Sequence, residues 1–252
     1  MRLRTVAAIL VCAFALAGDA SPSAQSGSSK TWIGRYHEFE DYLRTADCVS
    51  MNWFAPNHAA KCHFRPGGPI AAMAWRPRIP GPPGVRRGFR EHYQAEIVAY
   101  ELDKLLAMDM VPPTVERQLQ GTDGSAQQWV EDVVDAAGPT QPEGKERERW
   151  DHDVLRMTMF DSLIGNRGRV PTNMLRDGAW NLILIDHSRA FGTDSGRVGR
   201  LKAIDRELWT KIDALTRPQL DGVLGRWLAP AEIKAILARR DLMRADVKSL
   251  TR

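Results

Sequence analysis

The stretch GNRGRVPTNMLRDGAWNLILIDHSRAF, residues 165–191, decides the reading of this chain. Leu175 and Arg176 lead into Asp177-Gly178, a strong two-residue hairpin signal, and residues 180–185 form an apolar run of strand length. Asn173 therefore enters the hairpin and Asp186 leaves it, thirteen positions later. An Asn before a hairpin is commonly only turn chemistry, and an Asp after a strand can be a simple cap. Upstream of the hairpin stands the triplet Asn166-Arg167-Gly168, in which the third residue has no side chain to accept a proton.

Outward from this stretch, residues 150–164 read as a helix in which Val154, Leu155, Met157, Met159, Phe160 and Leu163 supply core. Residues 206–215, 218–228 and 230–250 read as three further helices, the last two opened by Pro218 and Pro230 in the first turn. On the N-terminal side, residues 32–44 suit a short helix, and residues 48–54 and 70–75 suit strands. Residues 91–108 form a helix with Ile97, Val98, Leu102, Leu105 and Leu106 on one side and Tyr93, Glu96 and Tyr100 on the other. Two occupied faces predict a helix packed on both sides. Residues 114–120 and 125–131 flank Gly121-Thr122-Asp123-Gly124 as a second hairpin. The segment PGPPGVRR, residues 80–87, excludes both regular states and suits a lid loop.

The first 25 residues, MRLRTVAAILVCAFALAGDASPSAQ, pair two arginines with an apolar core over residues 6–17 and small residues near Ala20 and Ala24. That is the pattern of an export signal. Val11 is a poor residue before a lipoprotein cysteine, so Cys12 reads as part of a discarded peptide. No other stretch approaches the roughly 20 apolar residues of a membrane span. The expectation is a periplasmic or secreted protein, with residues 1–24 the signal, 25–31 a disordered lead-in, 32–135 one lobe, 136–149 a connector and 150–252 a second lobe. Removing Arg2, Arg4 and Asp19 takes the formal net charge of +4 down by one. A charge so small, with both signs interspersed, argues against a nucleic-acid partner. Cys48 and Cys62, fourteen apart, are the cysteines left in the mature chain, and an oxidising compartment favours a disulfide. The competing metal reading would add His58 and His63, but no CxxC or HxxxH spacing supports it.

The segments AWRP (residues 74–77), YQAEIVAYELDKLL (93–106), MVPPTVER (110–117), FDSLIGN (160–166) and LIDHSRAF (184–191) together resemble a bacterial exported branch of the protein-kinase-like superfamily. This branch is related to the secretory-pathway kinases of exported proteins and proteoglycan sugars, and more distantly to phosphatidylinositol kinases. The resemblance implies an α+β fold of two lobes, a small one of strands plus one helix and a mainly helical one. It implies that Arg76 stands where the family has a phosphate-contacting lysine, and that Glu96 is that cation's carboxylate partner. Asn173 and Asp186 match the ligands of Mg²⁺ or Mn²⁺ bound with ATP, and Gly168 occupies the catalytic aspartate position. Asp161 has a structural counterpart in the family, Asp177 belongs to the turn, and His152 and His187 read as satisfied or exposed histidines.

Arginine keeps the charge of lysine at position 76 but not its compact shape. With two departures at positions that a transfer reaction can least spare, the expectation is a degenerate kinase, or pseudokinase, that retains nucleotide or metal binding. An active phosphotransferase on an exported protein or sugar is the alternative, and a non-catalytic scaffold the second.

Overall fold

In the computed structural model the described residues are 28–54, 59–79, 92–138 and 140–250. The export signal, the whole 80–87 loop and His58 lie outside them. Helix α1 (Tyr36–Thr45) is followed by strands β1 (Ser50–Phe54), β2 (Ala59–His63) and β3 (Ala72–Pro77), helix α2 (Gln94–Leu106) and strands β4 (Thr114–Leu119) and β5 (Thr122–Gln128). The five strands make one antiparallel sheet in the order β1-β2-β3-β5-β4. Next come β6 (Val134–Asp135), α3 (Gly144–Ile164), a 3₁₀ turn (Pro171–Asn173), β7 (Met174–Arg176) and β8 (Leu182–Leu184). Helices α4 (Arg206–Asp213), α5 (Arg217–Leu224) and α6 (Pro230–Leu250) complete the described chain. The result is an α+β fold with a sheet lobe and a helical lobe.

Each lobe has its own core. Trp32, Phe39, Leu43, Met73, Trp75, Val115 and Ala126 pack α1 onto the sheet, whereas Met159, Phe160, Leu163, Leu208, Ile212, Leu224 and Ile236 join the C-terminal helices. Helix α2 belongs to both regions, as its two occupied faces required. Val98, Ala99, Leu102 and Leu106 enter the helical core, and the same helix also lies against β4 and β5. A helix held from two sides is a firm base for a site built on its first turn.

Four local readings need correction. Strand β2 has no counterpart in the sequence analysis, because its inward residues Ala60 and Cys62 are too small to give a strong apolar signal; Trp75 and Phe64 supply the bulk around them. The second hairpin turns at Gln120 and Gly121, both with positive φ (50° and 78°), so Thr122 to Gly124 are paired strand and not turn. Gly124 is glycine for a different reason: a Cβ there would lie 2.5 Å from the Arg76 carbonyl and from the Trp75 ring. That close crossing seats β3 and its Arg76. Helix α3 starts at Gly144, within the segment read as connector, since KERER is a strong helix-forming run.

The fourth correction concerns the decisive hairpin. Arg176 pairs with Leu182, so five residues, not two, join β7 to β8. The reason is the Asp177 side chain, which is buried and accepts from the amides of Ala179 (3.0 Å) and Asn181 (2.9 Å), from the Asn181 side chain (2.8 Å) and from the Ser29 amide (2.9 Å). A carboxylate that organises its own loop leaves no place for a tight Asp-Gly turn. Trp180, at φ 60°, is in that loop and not in the strand, with its ring against Trp150 and under Arg176.

Cys48 and Cys62 are joined, with Cα atoms 5.7 Å apart, which excludes them as metal ligands. The bond closes a loop of about fourteen residues and is expected to stabilise by about 3 kcal/mol. Replacing both cysteines by serine should therefore lower Tm by about 6–12 °C in a thermal melt. An unchanged Tm, or two thiols alkylated without reductant, would contradict the assignment.

Candidate functional site

Alternation along β3 sends Trp75 into the core and Arg76 to the opposite side, toward Glu96 of α2 and Asp186 after β8. Glu96 lies on the first turn of α2, 3% exposed, with Oε1 3.7 Å from Arg76 Nε. Arg76 Nη2 donates to Asp186 Oδ1 at 3.4 Å, so one guanidinium spans two carboxylates. Asp186 comes two residues after β8 with φ 56°, a left-handed conformation that an aspartate tolerates better than most residues. Its Oδ1 also accepts from Ser188 Oγ at 2.7 Å, and its Oδ2 lies 3.5 Å from the Asn173 amide nitrogen. The hairpin thus closes as the spacing of Asn173 and Asp186 required.

Burial alone would raise the Glu96 carboxyl. The hydrogen bond from His187 and the charge of Arg76 outweigh it and hold the group down at about 2. Glu96 is therefore a carboxylate at any physiological pH.

Beside these residues is a second network that the sequence analysis did not foresee. Asp161, in the last turn of α3, receives a forked pair of bonds from Arg169, Nε to Oδ2 and Nη2 to Oδ1, both 3.0 Å. The remaining Arg169 nitrogen, Nη1, donates at 2.8 Å to the carbonyls of both Asn173 and Ile185. One side chain thereby ties α3 to the backbone on either side of the hairpin. Asn166 completes the loop, donating to Asp161 at 2.9 Å and accepting from the Gly168 amide at 3.0 Å. Asp161 is structural, as expected. Arg169 could not be found from spacing, because eight residues across a non-helical loop imply no contact until the loop is folded.

Gly168 does not use the left-handed backbone, so the turn itself does not require glycine. A Cβ there would meet Arg189 Cδ at 3.0 Å and Asn166 Oδ1 at 3.5 Å. The stem of Arg189 therefore lies beside the place of a carboxylate. His187 is fully buried with its ring edge-on to Phe160, while His152 is exposed against Asp205 at 2.9 Å.

As to a metal, Asp186 and Asn173 offer hard oxygen donors: one carboxylate, and one amide that presents its oxygen after a half-turn. Among the described residues no group of three His, Cys, Asp or Glu could hold a metal ion. Two protein donors, with phosphate oxygens and water completing the shell, suit Mg²⁺ or Mn²⁺ carried on a nucleotide and not a free ion in an all-protein cage. The residues fit that group.

No protein-family model matches the sequence, and no curated protein is significantly similar to it. Solved structures do match. A Golgi casein kinase, determined with Mn and ADP bound, superposes with a TM-score of 0.63 at 14% identity, over 84% of this chain and 75% of that one. The Fam20 protein of hydra, determined with sugar, gives 0.56 at 12% identity, over 85% and 88%. The proinflammatory kinase CtkA of Helicobacter pylori gives 0.51 at 8%, over 82% and 94%. At such identities the likeness is one of fold: the chain has a protein-kinase-like fold related to that of the secretory-pathway kinases.

Proposed function

We propose that this protein is an exported pseudokinase that binds a nucleotide with Mg²⁺ or Mn²⁺ between its lobes and transfers phosphate poorly or not at all. The observation that carries the reading is the contrast within one site. Arg76, Glu96, Asn173 and Asp186 converge, whereas position 168 has no carboxylate and the stem of Arg189 is packed against it. Arg76 would face the phosphates, with Glu96 beside it, and Asn173 and Asp186 would hold the metal. A bound divalent ion would neutralise phosphate charge. Phosphoryl transfer depends mostly on positioning and charge, and loss of the general base alone removes about 10²–10⁴-fold.

Export is supported by the leader sequence and by the Cys48–Cys62 bond, a type of link that persists in oxidising compartments. Among the described residues no helix is long and apolar enough to cross a membrane. The Golgi casein kinase binds Mn and ADP, and that precedent makes Mn-ATP the first ligand to try. A second reading, a slow phosphotransferase on an exported protein or sugar, is favoured by one observation: the cation bridge from Arg76 to Glu96 and Asp186 is already assembled.

Binding is tested by thermal shift. Mn-ATP at a hundred times its Kd should stabilise the mature protein by about 2.7 kcal/mol. Asp186→Ala should abolish the shift. No response in the wild type, or the same response in the variant, would leave only a scaffold.

A further inference from the structure

In the kinase-like arrangement implied by the sequence, Glu96 is the partner of the β3 cation. Here Glu96 keeps that ion pair and has a second, closer partner. The His187 amide donates to both Glu96 oxygens, at 3.1 and 3.0 Å, and His187 Nδ1 lies 3.3 Å from Oε2. Arg76 comes no closer to Glu96 than 3.7 Å, an ion pair without a hydrogen bond, and its one hydrogen bond within the site goes to Asp186. His187 is 0% exposed and Glu96 3%, so these contacts operate away from water, where each is strongest. The imidazole also lies edge-on to Phe160 of α3, at 6.1 Å between ring centres. Among the described residues its Nε2 has no hydrogen-bond partner, so its polar hold on the site is through Nδ1 and the backbone.

We propose that His187 is a positioning residue. It, and not Arg76, fastens Glu96 of α2 to the segment after β8, and by doing so it fixes the adjacent Asp186, whose left-handed backbone would otherwise relax. Arg76 is then released from the role of helix anchor and is available to the phosphates. The consequence for ligand binding rests on the nucleotide reading above; the clamp itself does not.

The discriminating variants are His187→Phe, which keeps ring volume against Phe160 but removes the Nδ1 contact, and His187→Asn, whose side-chain nitrogen takes nearly the place of Nδ1. Arg76→Met is the control, and Glu96→Gln removes the carboxylate if the phenylalanine variant does not fold. Amide hydrogen exchange over residues 184–190 should quicken tenfold or more in His187→Phe, stay near wild type in His187→Asn, and quicken far less in Arg76→Met, which removes only the long 3.4 Å bond to Asp186. Mn-ATP affinity should fall at least tenfold in His187→Phe and recover in His187→Asn.

Wild-type exchange in His187→Phe, or equal opening by Arg76→Met, would overturn the proposal. Faster exchange with unchanged Mn-ATP affinity would also overturn it, by reducing His187 to a packing contact. If the wild type gives no response to Mn-ATP, the nucleotide reading fails, and the exchange comparison alone decides the clamp.

Discussion

Under the proposed pseudokinase reading, Gly168→Asp together with Arg76→Lys should raise phosphate transfer from background by about 10²–10⁴-fold, the usual worth of a general base. The assay is radiolabelled ATP with the protein itself and generic acceptors, on wild type, both single variants and the double. The gain should exceed the sum of the singles, because residues acting as one catalytic unit contribute jointly. The backbone at position 168 admits an aspartate, but its Cβ would lie 3.0 Å from Arg189 Cδ. Arg189 is exposed at the surface and its stem must swing aside, so adding Arg189→Ala to the double variant should increase the rate further. A double variant as inactive as wild type, with Arg189 removed as well, would mean that residues 170–172 beside Asn173 have also departed from function. Robust wild-type transfer that Asp186→Ala abolishes would establish an active enzyme and reverse the ranking.

Arg169→Ala should be the most destabilising single change near the site. It leaves the Asp161 carboxylate, 8% exposed, without its forked partner, and breaking a buried pair on one side costs about 3–5 kcal/mol. For a domain of this size Tm should drop by about 6–20 °C. Arg169→Lys should rescue only part, because a single ammonium cannot reach Asp161 and the carbonyls of Asn173 and Ile185 together. The double variant Asp161→Ala with Arg169→Ala should lose less than the sum of the two singles. A loss in Arg169→Ala below about 1 kcal/mol, the scale of an exposed ion pair, would refute the keystone role.

How much of this was legible beforehand follows from the range of each interaction. Helix α2, with polar and apolar residues alternating around its whole circumference, announced burial on both faces, and both faces are buried. The hairpin between Asn173 and Asp186 was legible as a pair of strand-length segments about a turn, and the backbone does bring the two side chains to 3.5 Å. Its detail was not, since the Asp177 side chain folds the five-residue loop around itself by accepting from Ala179 and Asn181, and a fourth donor comes from Ser29, 148 residues earlier. Strand β2 escaped notice because Ala60 and Cys62 are buried by neighbours and not by their own bulk.

Periodicity, turn chemistry and the leader's composition are local properties; they led to the order of strands and helices and favoured the pairing of Cys48 with Cys62, whereas the roles read for Arg76 and Gly168 came from the resemblance of short segments to the kinase-like superfamily and not from the pattern itself. The tertiary structure alone decided that His187 takes the hydrogen bonds of Glu96, that Arg169 joins α3 to both ends of the hairpin, and that Arg189 lies against Gly168. Each of these depends on where segments separated by 8 to 91 residues, or by a folded loop, come to lie. A hydrogen bond acts over about 3 Å, so its partners are set by packing and leave no periodic trace in the chain.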